Sequence, residues 1–393
     1  MRFVRVWAVL TLAFAFAFAA CQDTPAPVAP DATEPDALLG LLTPERYVVV
    51  FQDGVTDPAG LAATLTSTLG GKLLYTYTSA LEGFAAELPA TAVTLLQLDP
   101  RVAYLERDQR MRAIGVQQMD ANGDPWGLDR IDQRSLPLSG TYSFTATASS
   151  VHAYIIDTGI WTLHGDFGGR ADNVFDAMLL NGEDCQGHGT HVAGTVGGAT
   201  WGVAKAVRLH GVRVLNCLGV GFTSDVIAGV DFVTSNHVKP AVANMSLGGG
   251  QSTALNTAVT NLWNAGVFVA VAAGNDDADA CGFSPASAAG ALTVAASTKT
   301  DAKASFSNWG SCVEIYAPGS SIKSAFLLGT TATLSGTSMA SPHAAGVGAL
   351  YKATFGDASS ATVADWIITN ATTNVITGNR TGTPNRLLYK AGL

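Results

Sequence analysis

What most constrains this chain is a rhythm that starts near residue 125, where short apolar, β-rich runs alternate with helix-patterned segments. VHAYIID (151–157), VRLHGVRVL (207–215), AVANMSL (241–247), GVFVAVAAG (266–274) and ALTVAAS (291–297) read as strands, while HGTHVAGTVGG, TSDVIAGVDFVTS, ALNTAVTNLWNAG and SMASPHAAGVGALYKATF read as helices. Alternation of this kind argues for a three-layer α/β fold, a mostly parallel sheet with helices on both faces. In such sheets reactive groups gather at the carboxyl ends of the strands.

A smaller unit precedes it. RYVVVFQDG alternates and ends in a turn, DPAGLAATLTSTLGG is helical with a glycine stop, KLLYTYTSALEGFAAELP holds two strands, ATAVTLLQLDP is a second helix and VAYLERD a last strand. The order β-α-β-β-α-β over Arg46–Asp108 predicts a small ferredoxin-like α+β domain. Gln109–Gly123 is polar and reads as an irregular linker or cleavage region.

The first twenty residues carry Arg2 and Arg5 and then an apolar run ending in small residues, the form of a secretory signal and short for a membrane span. Cys21 follows Ala19 and Ala20, which resembles a lipoprotein cleavage box, so a lipid on Cys21 is the one membrane attachment the sequence suggests. The proline-rich stretch that follows reads as a spacer, and the expected division is 1–20 signal, 21–43 spacer, 44–113 small domain and 114–393 large domain. A net charge of −9 over 393 residues gives no basis for binding a phosphate backbone, and nucleic acid is rejected as a partner.

Without Cys21, four cysteines remain in an exported chain: Cys185, Cys217, Cys281 and Cys312. Disulfides are expected, with three connectivities open, and zinc is disfavoured because no C-x-x-C pair occurs.

Three motifs carry the chemistry. Asp157 ends an apolar strand in D-T-G, which places a carboxylate at the rim; an isolated D-T-G is also an ordinary turn cap. His188, in DCQGHGTHVAGTVGG, is flanked by Gly187 and Gly189, which leave a base reachable; His191 reads as packing, since the pair lacks the H-E-x-x-H zinc pattern. Ser338, in SGTSMASPHAAGVGAL, stands at a helix start among small residues, where free N–H groups favour developing negative charge; the plainer reading is a capping serine with Pro342 in the first turn.

D-T-G, H-G-T-H-V-A-G and G-T-S-M-A-S-P-H in the order Asp, His, Ser resemble the subtilisin-like serine proteases, the subtilase family. The resemblance runs from about Pro125 to Tyr389, is similar above all to the proteinase K and aqualysin-like branch, and extends to Arg46–Asp108, which is similar to the family's inhibitory propeptide. It implies an exported, broadly specific serine endopeptidase made as a self-processing precursor, a monomer acting on proteins and peptides and inhibited by its own propeptide. Ser338 would be nucleophile, His188 general base and acid, Asp157 the orienting carboxylate and Asn275 the oxyanion-hole amide. Gly219, Val220 and Gly221, with Ser246, Leu247 and Gly248, would bind substrate backbone, and Ala272 and Gly274 would line a first pocket suited to apolar or aromatic residues.

The same resemblance pairs Cys185 with Cys217 and Cys281 with Cys312. It requires no cofactor for catalysis but implies structural calcium at two places: Asp129, Asp132 and Gln133, and the carbonyls of Ala289 and Ala291 with Glu314. Ser139 and Glu314 stand where relatives of this branch carry Asp, a departure at both places. An esterase with a G-x-S-x-G elbow is the rival enzyme, opposed by the motif order. The rival outside catalysis is an inactive fold that only binds.

Overall fold

The computed structural model describes residues 45–113, 116–117, 126–179 and 181–393. The expected signal, Cys21, the spacer and Pro125 lie outside the described residues. Among the described residues no helix is long and apolar enough to cross a membrane.

The small domain comprises β1 (Glu45–Phe51), α1 (Pro58–Thr68), β2 (Lys72–Tyr77), β3 (Gly83–Leu88), α2 (Ala90–Gln97) and β4 (Val102–Arg107). Its strands form an antiparallel sheet in the order β2-β3-β1-β4. β1 is apolar on consecutive residues because both of its faces are covered. Val49 and Phe51 pack with Ala62, Leu65 and Leu96 of the domain's own helices. Val48 and Val50 share a second core with residues far along the chain, Val226, Ile227 and Leu255 among them.

The chain continues through β5 (Arg110–Ala113), β6 (Val116–Gln117), α3 (Trp126–Asp132), β7 (His152–Asp157), β8 (Ala171–Asp176), α4 (His188–Gly197), β9 (Arg208–Arg213), β10 (Val220–Phe222), α5 (Thr223–Asn236), β11 (Ala241–Met245), β12 (Leu247–Gly250), α6 (Thr253–Asn264) and β13 (Phe268–Ala272). It ends with β14 (Phe283–Ser284), β15 (Leu292–Ser297), β16 (Ile315–Pro318), β17 (Ile322–Ala325), β18 (Thr331–Ser335), α7 (Thr337–Phe355), α8 (Ser360–Asn370), β19 (Thr372–Thr373) and β20 (Arg386–Leu387). A nine-stranded sheet runs β19-β20-β16-β15-β13-β11-β7-β9-β8, parallel except at the β19–β20 edge. α4 and α7 bury their apolar residues against one face, in a core with Ile155, Ala270 and Val294; α5 and α6 cover the other, with Tyr154, Ile156 and Val269. The architecture is thus α/β, three-layered and mostly parallel.

The segment read as an irregular linker departs from that expectation. β5 lies between β10 and β12, antiparallel to both, with Met111 opposite Gly221 and Arg112 opposite Gly248. β6 pairs with β18. These are short polar stretches whose strand partners lie more than a hundred residues downstream, so no local pattern announces them.

Candidate active site

Three elements carry the motif residues. Asp157 is the last residue of β7, His188 the first of α4 and Ser338 the second of α7, and all three are buried in this chain. His188 Nδ1 faces both Asp157 oxygens, at 2.8 and 3.0 Å. With a carboxylate there, Nδ1 carries the proton and the Nε2 lone pair is left as the basic site. Gly187 precedes His188 at φ +101°, and a Cβ on it would stand 2.3 Å from the Phe326 ring.

Asp184 ties this corner together. Its carboxylate accepts the hydroxyls of Thr158 (2.9 Å) and Thr190 (2.6 Å) and the N–H groups of Gln186, Gly187 and Thr190, at 2.8 to 3.0 Å. One buried side chain thereby joins the turn after Asp157 to the start of α4. Burial pushes its carboxyl above the ordinary range.

Ser338 Oγ donates to the carbonyl of Ser246 at 3.3 Å, and Ser246 Oγ donates to the carbonyl of Ser338 at 2.8 Å. The second bond exists because of Pro342. In a regular helix the N–H of residue 342 would take the Ser338 carbonyl, but proline has none, and the hydroxyl of Ser246 substitutes. Pro342 therefore sits inside α7, a turn deeper than a first-turn cap.

Asn275 follows β13. Its Oδ1 accepts the N–H of Thr337 (2.9 Å) and the Thr337 hydroxyl (3.0 Å). Since a backbone N–H can only donate, the oxygen must face Thr337, and the amide NH₂ points away from it. Gly274, at φ +106°, could not carry a side chain, because a Cβ would lie 2.2 Å from Asn308 Nδ2. Asn308 braces the same loop, donating to Ala273 O (3.0 Å) and accepting from the N–H groups of Asp276 (2.9 Å) and Ala278 (3.0 Å). Ala272 is buried at the end of β13.

The two glycine-rich segments flank β5. Val220 and Gly221 lie in β10; Gly219, at φ +73°, turns into it. Leu247 and Gly248 open β12, and Ser246 precedes it. Cys185 is bonded to Cys217 and Cys281 to Cys312. The buried Arg213 guanidinium lies against the first bridge, with Nη2 3.1 Å from Cys185 Sγ. Each bridge fastens a loop that carries part of the site.

The oxygens of the residues expected to hold calcium make these contacts in the structure. Asp129 accepts the N–H groups of Ser139 and Gly140 and the Ser139 hydroxyl; Asp132 accepts from Ser143 and pairs with the Lys390 ammonium at 3.0 Å; Gln133 Oε1 accepts from Ser139. In the second set, Glu314 accepts the Thr293 N–H at 2.6 Å, and burial pushes its carboxyl up to about 7. Ala289 is exposed and Ala291 buried. In the first set protein donors, one of them the Lys390 cation, already occupy oxygens of Asp129, Asp132 and Gln133; in the second, Glu314 accepts the single N–H of Thr293. Among the described residues no group of three or more His, Cys, Asp or Glu side chains could hold a metal.

Reading the sequence motif by motif missed Asp184, Asn244, Asn308 and Thr337. Asn244 links the hydroxyls of Ser246 (2.8 Å) and Ser341 (2.7 Å) beside Ser338. Asn244 carried a signal, a polar residue inside the apolar run AVANM, and the other three carried none.

Residues 151–389 match the profile described as the Subtilase family, and residues 46–113 that described as Peptidase inhibitor I9. The chain is 50% identical over 412 aligned residues to an extracellular serine proteinase of Thermus sp. (strain Rt41A), covering 98% of each. It is 48% identical over 359 residues to alkaline serine exoprotease A of Vibrio alginolyticus, covering 88% of this chain and 67% of that one. It is 40% identical over 378 residues to Proteinase R of Parengyodontium album, covering 93% and 95%. A crystal structure of a cold adapted subtilisin-like serine proteinase superposes with a TM-score of 0.67 at 50% identity, covering 70% of this chain and all of that one.

Proposed function

The chain belongs to the Subtilase family and is a serine peptidase, a hydrolase of peptide bonds, and from that premise we propose that Ser338 is its nucleophile, His188 its general base and then acid, and Asp157 the carboxylate that orients the imidazole. The pairing of His188 Nδ1 with both Asp157 oxygens carries this reading. It fixes the tautomer in which Nε2 takes the Ser338 proton and returns it to the leaving amine, while Asp157 stabilises the imidazolium that forms. The Asn275 NH₂ and the Ser338 N–H, at the amino end of α7, are the donors for the developing oxyanion. No cofactor enters this chemistry.

Substrate is held as an extended strand between β10 and β12, the position β5 takes here. Backbone pairing reads few side chains, so specificity is broad, with an apolar or aromatic residue preferred before the cut beside Ala272 and Gly274. The enzyme is exported; relatives described as extracellular support this. It is made as a precursor in which residues 44–113 inhibit residues 114–393 until self-cleavage, a reading supported by the inhibitor-type match.

An organophosphonate that modifies only activated serines tests the assignment. It should label the mature enzyme at Ser338 and leave Ser338→Ala unlabelled, and the Ser338→Ala chain, made in a host without other exported proteases, should stay uncut. Absence of labelling would favour a fold that only binds.

A further inference from the structure

We propose that the Cys185–Cys217 bridge is a site of thiol–disulfide exchange, at which a low-molecular-weight thiol is taken up as a mixed disulfide on Cys217 while Cys185 leaves as a thiolate. The exchange stands on the surroundings of the bridge; its effect on activity rests on the roles proposed above for His188 and for Gly219, Val220 and Gly221.

The two bridges of the chain differ in access and in charge. Cys185 and Cys217 are both exposed, whereas Cys281 and Cys312 are half-buried. The guanidinium of Arg213, itself 1% exposed, lies against the exposed bridge, with Nη2 3.1 Å from Cys185 Sγ and 3.5 Å from Cys217 Sγ. Its head is fixed there, because Nη1 donates to the carbonyl of Glu183 at 3.0 Å and Nε to that of Leu215 at 3.3 Å. The Asp176 carboxylate faces the same guanidinium but stands 3.9 Å from Nε, farther than either sulfur from Nη2. Cys281 Sγ, by contrast, faces the Ser311 hydroxyl at 3.6 Å.

A thiolate is a better leaving group the more its charge is stabilised, and a buried cation acts more strongly than one in water. Arg213 is nearer to Cys185 Sγ, so Cys185 is the sulfur that leaves and Cys217 the one that is attacked. An exposed disulfide with such a leaving group exchanges before a half-buried one without it.

Both ends of the bridge adjoin the site. Cys185 lies between Asp184, which ties the turn after Asp157 to α4, and Gln186, whose side-chain oxygen accepts the His188 N–H at 2.7 Å. Cys217 follows Asn216, whose Oδ1 accepts the N–H groups of Leu218 (2.9 Å) and Val220 (3.2 Å) and so shapes the turn into β10. Opening the bridge releases the approach to the base and the edge that pairs with substrate from one another.

In the first step the thiolate of the small thiol bonds to Cys217 Sγ, the S–S bond breaks, and its electron pair stays on Cys185 Sγ beside Arg213. A second small thiolate attacks the mixed disulfide at the small-thiol sulfur, freeing Cys217 and forming the disulfide of the small thiol. The pair of cysteines is thereby reduced by two electrons, and the small thiol's disulfide reverses the sequence.

The Ser338→Ala full chain is treated with reduced glutathione and quenched with N-ethylmaleimide at the earliest time an adduct appears, and its cysteine peptides are read by mass. Glutathione is expected on Cys217 and maleimide on Cys185, with Cys281 and Cys312 still bridged. Glutathione on Cys185, prior opening of the other bridge, or no adduct at all would overturn the proposal. Arg213→Gln should slow the adduct and remove the preference for Cys217; where that variant does not fold, the position of the adduct in the parent decides. The mature wild-type enzyme should lose activity on a small amide substrate as the adduct forms and regain it with oxidised glutathione, while a Cys185→Ser, Cys217→Ser double variant should not respond. Adduct on Cys217 with activity unmoved would sever the bridge from catalysis and leave the exchange standing. A mature enzyme inactive before any thiol is added would count against the proposed catalytic roles instead.

Discussion

The carboxylate of Asp108 accepts the backbone N–H of Ser224 at 2.7 Å, capping the first turn of α5 from a different part of the chain. Asp108 also takes the Ser224 hydroxyl and pairs with Arg46 Nε at 2.9 Å. Glu106 does the same for α6, accepting the Ser252 hydroxyl and the N–H of Thr253 at 3.2 Å. Two helices of the large domain thus receive amino-terminal negative charge from the small one, α5 in addition to its own first-turn Asp225. Asp108→Ala, made in the uncleavable Ser338→Ala chain, is expected to lower stability by roughly 1–2 kcal/mol, the usual cost of a lost cap. A denaturant midpoint unchanged from the parent would refute the capping role.

Asp157→Asn should leave the fold intact and lower kcat by roughly 10⁴-fold, the loss measured for this substitution in another Ser-His-Asp protease, because the amide favours the wrong imidazole tautomer. Asn275→Ala should lower kcat by roughly 10² to 10³, a figure measured on subtilisin, itself a member of this family. Steady-state kinetics on a small amide substrate check both. Because His188 accepts a proton only while neutral, the same assay should lose activity on the acid side and not on the alkaline side.

Asn308 braces the loop that carries Asn275. Asn308→Ala removes three hydrogen bonds from a buried site and is expected to destabilise the enzyme by about 1–3 kcal/mol. If the loop is what places the Asn275 amide, kcat should fall while KM holds. A variant that loses stability but keeps its kcat would limit Asn308 to a structural role.

Two further histidines set the response to acid. Burial pushes His191 down to about 3 and His343 down to about 4 from the ordinary 6.5. Both are neutral in the fold, donating to backbone carbonyls: His191 Nε2 to Ile322 (3.0 Å) and His343 Nδ1 to Met339 (2.8 Å). The unfolded chain binds these protons more readily. The contribution of each is therefore full above pH 6.5 and is lost as pH falls from there towards 4 and then 3. Urea midpoints of the Ser338→Ala chain should drop across that window, and His343→Asn should flatten the drop; an unchanged slope would remove His343 from the account.

Much of this architecture was legible because burial writes itself into composition. β7, β11, β13 and β15 lie in the middle of the sheet, and their residues are apolar on consecutive positions. β8, at the edge, reads ADNVFD and gives no such signal. β16 ends in Pro318, and proline argues against a strand until its place at the strand's end is known. D-T-G, H-G-T-H and G-T-S-M-A announced their elements because each combines a reactive side chain with the small neighbours that access requires. Asp184 and Asn308 carried no such mark. Their roles consist of hydrogen bonds to backbone groups whose positions only the folded chain supplies.

β5 is held between β10 and β12 by the same covalent chain that contains them. On the proposed self-processing, the first cut needs no second molecule, and its half-time should be the same in a dilute culture fluid as in a concentrated stock. Release is governed otherwise. On the same proposal, a severed small domain would be kept in place by contacts alone, and dilution would decide how much of the enzyme is open to other proteins.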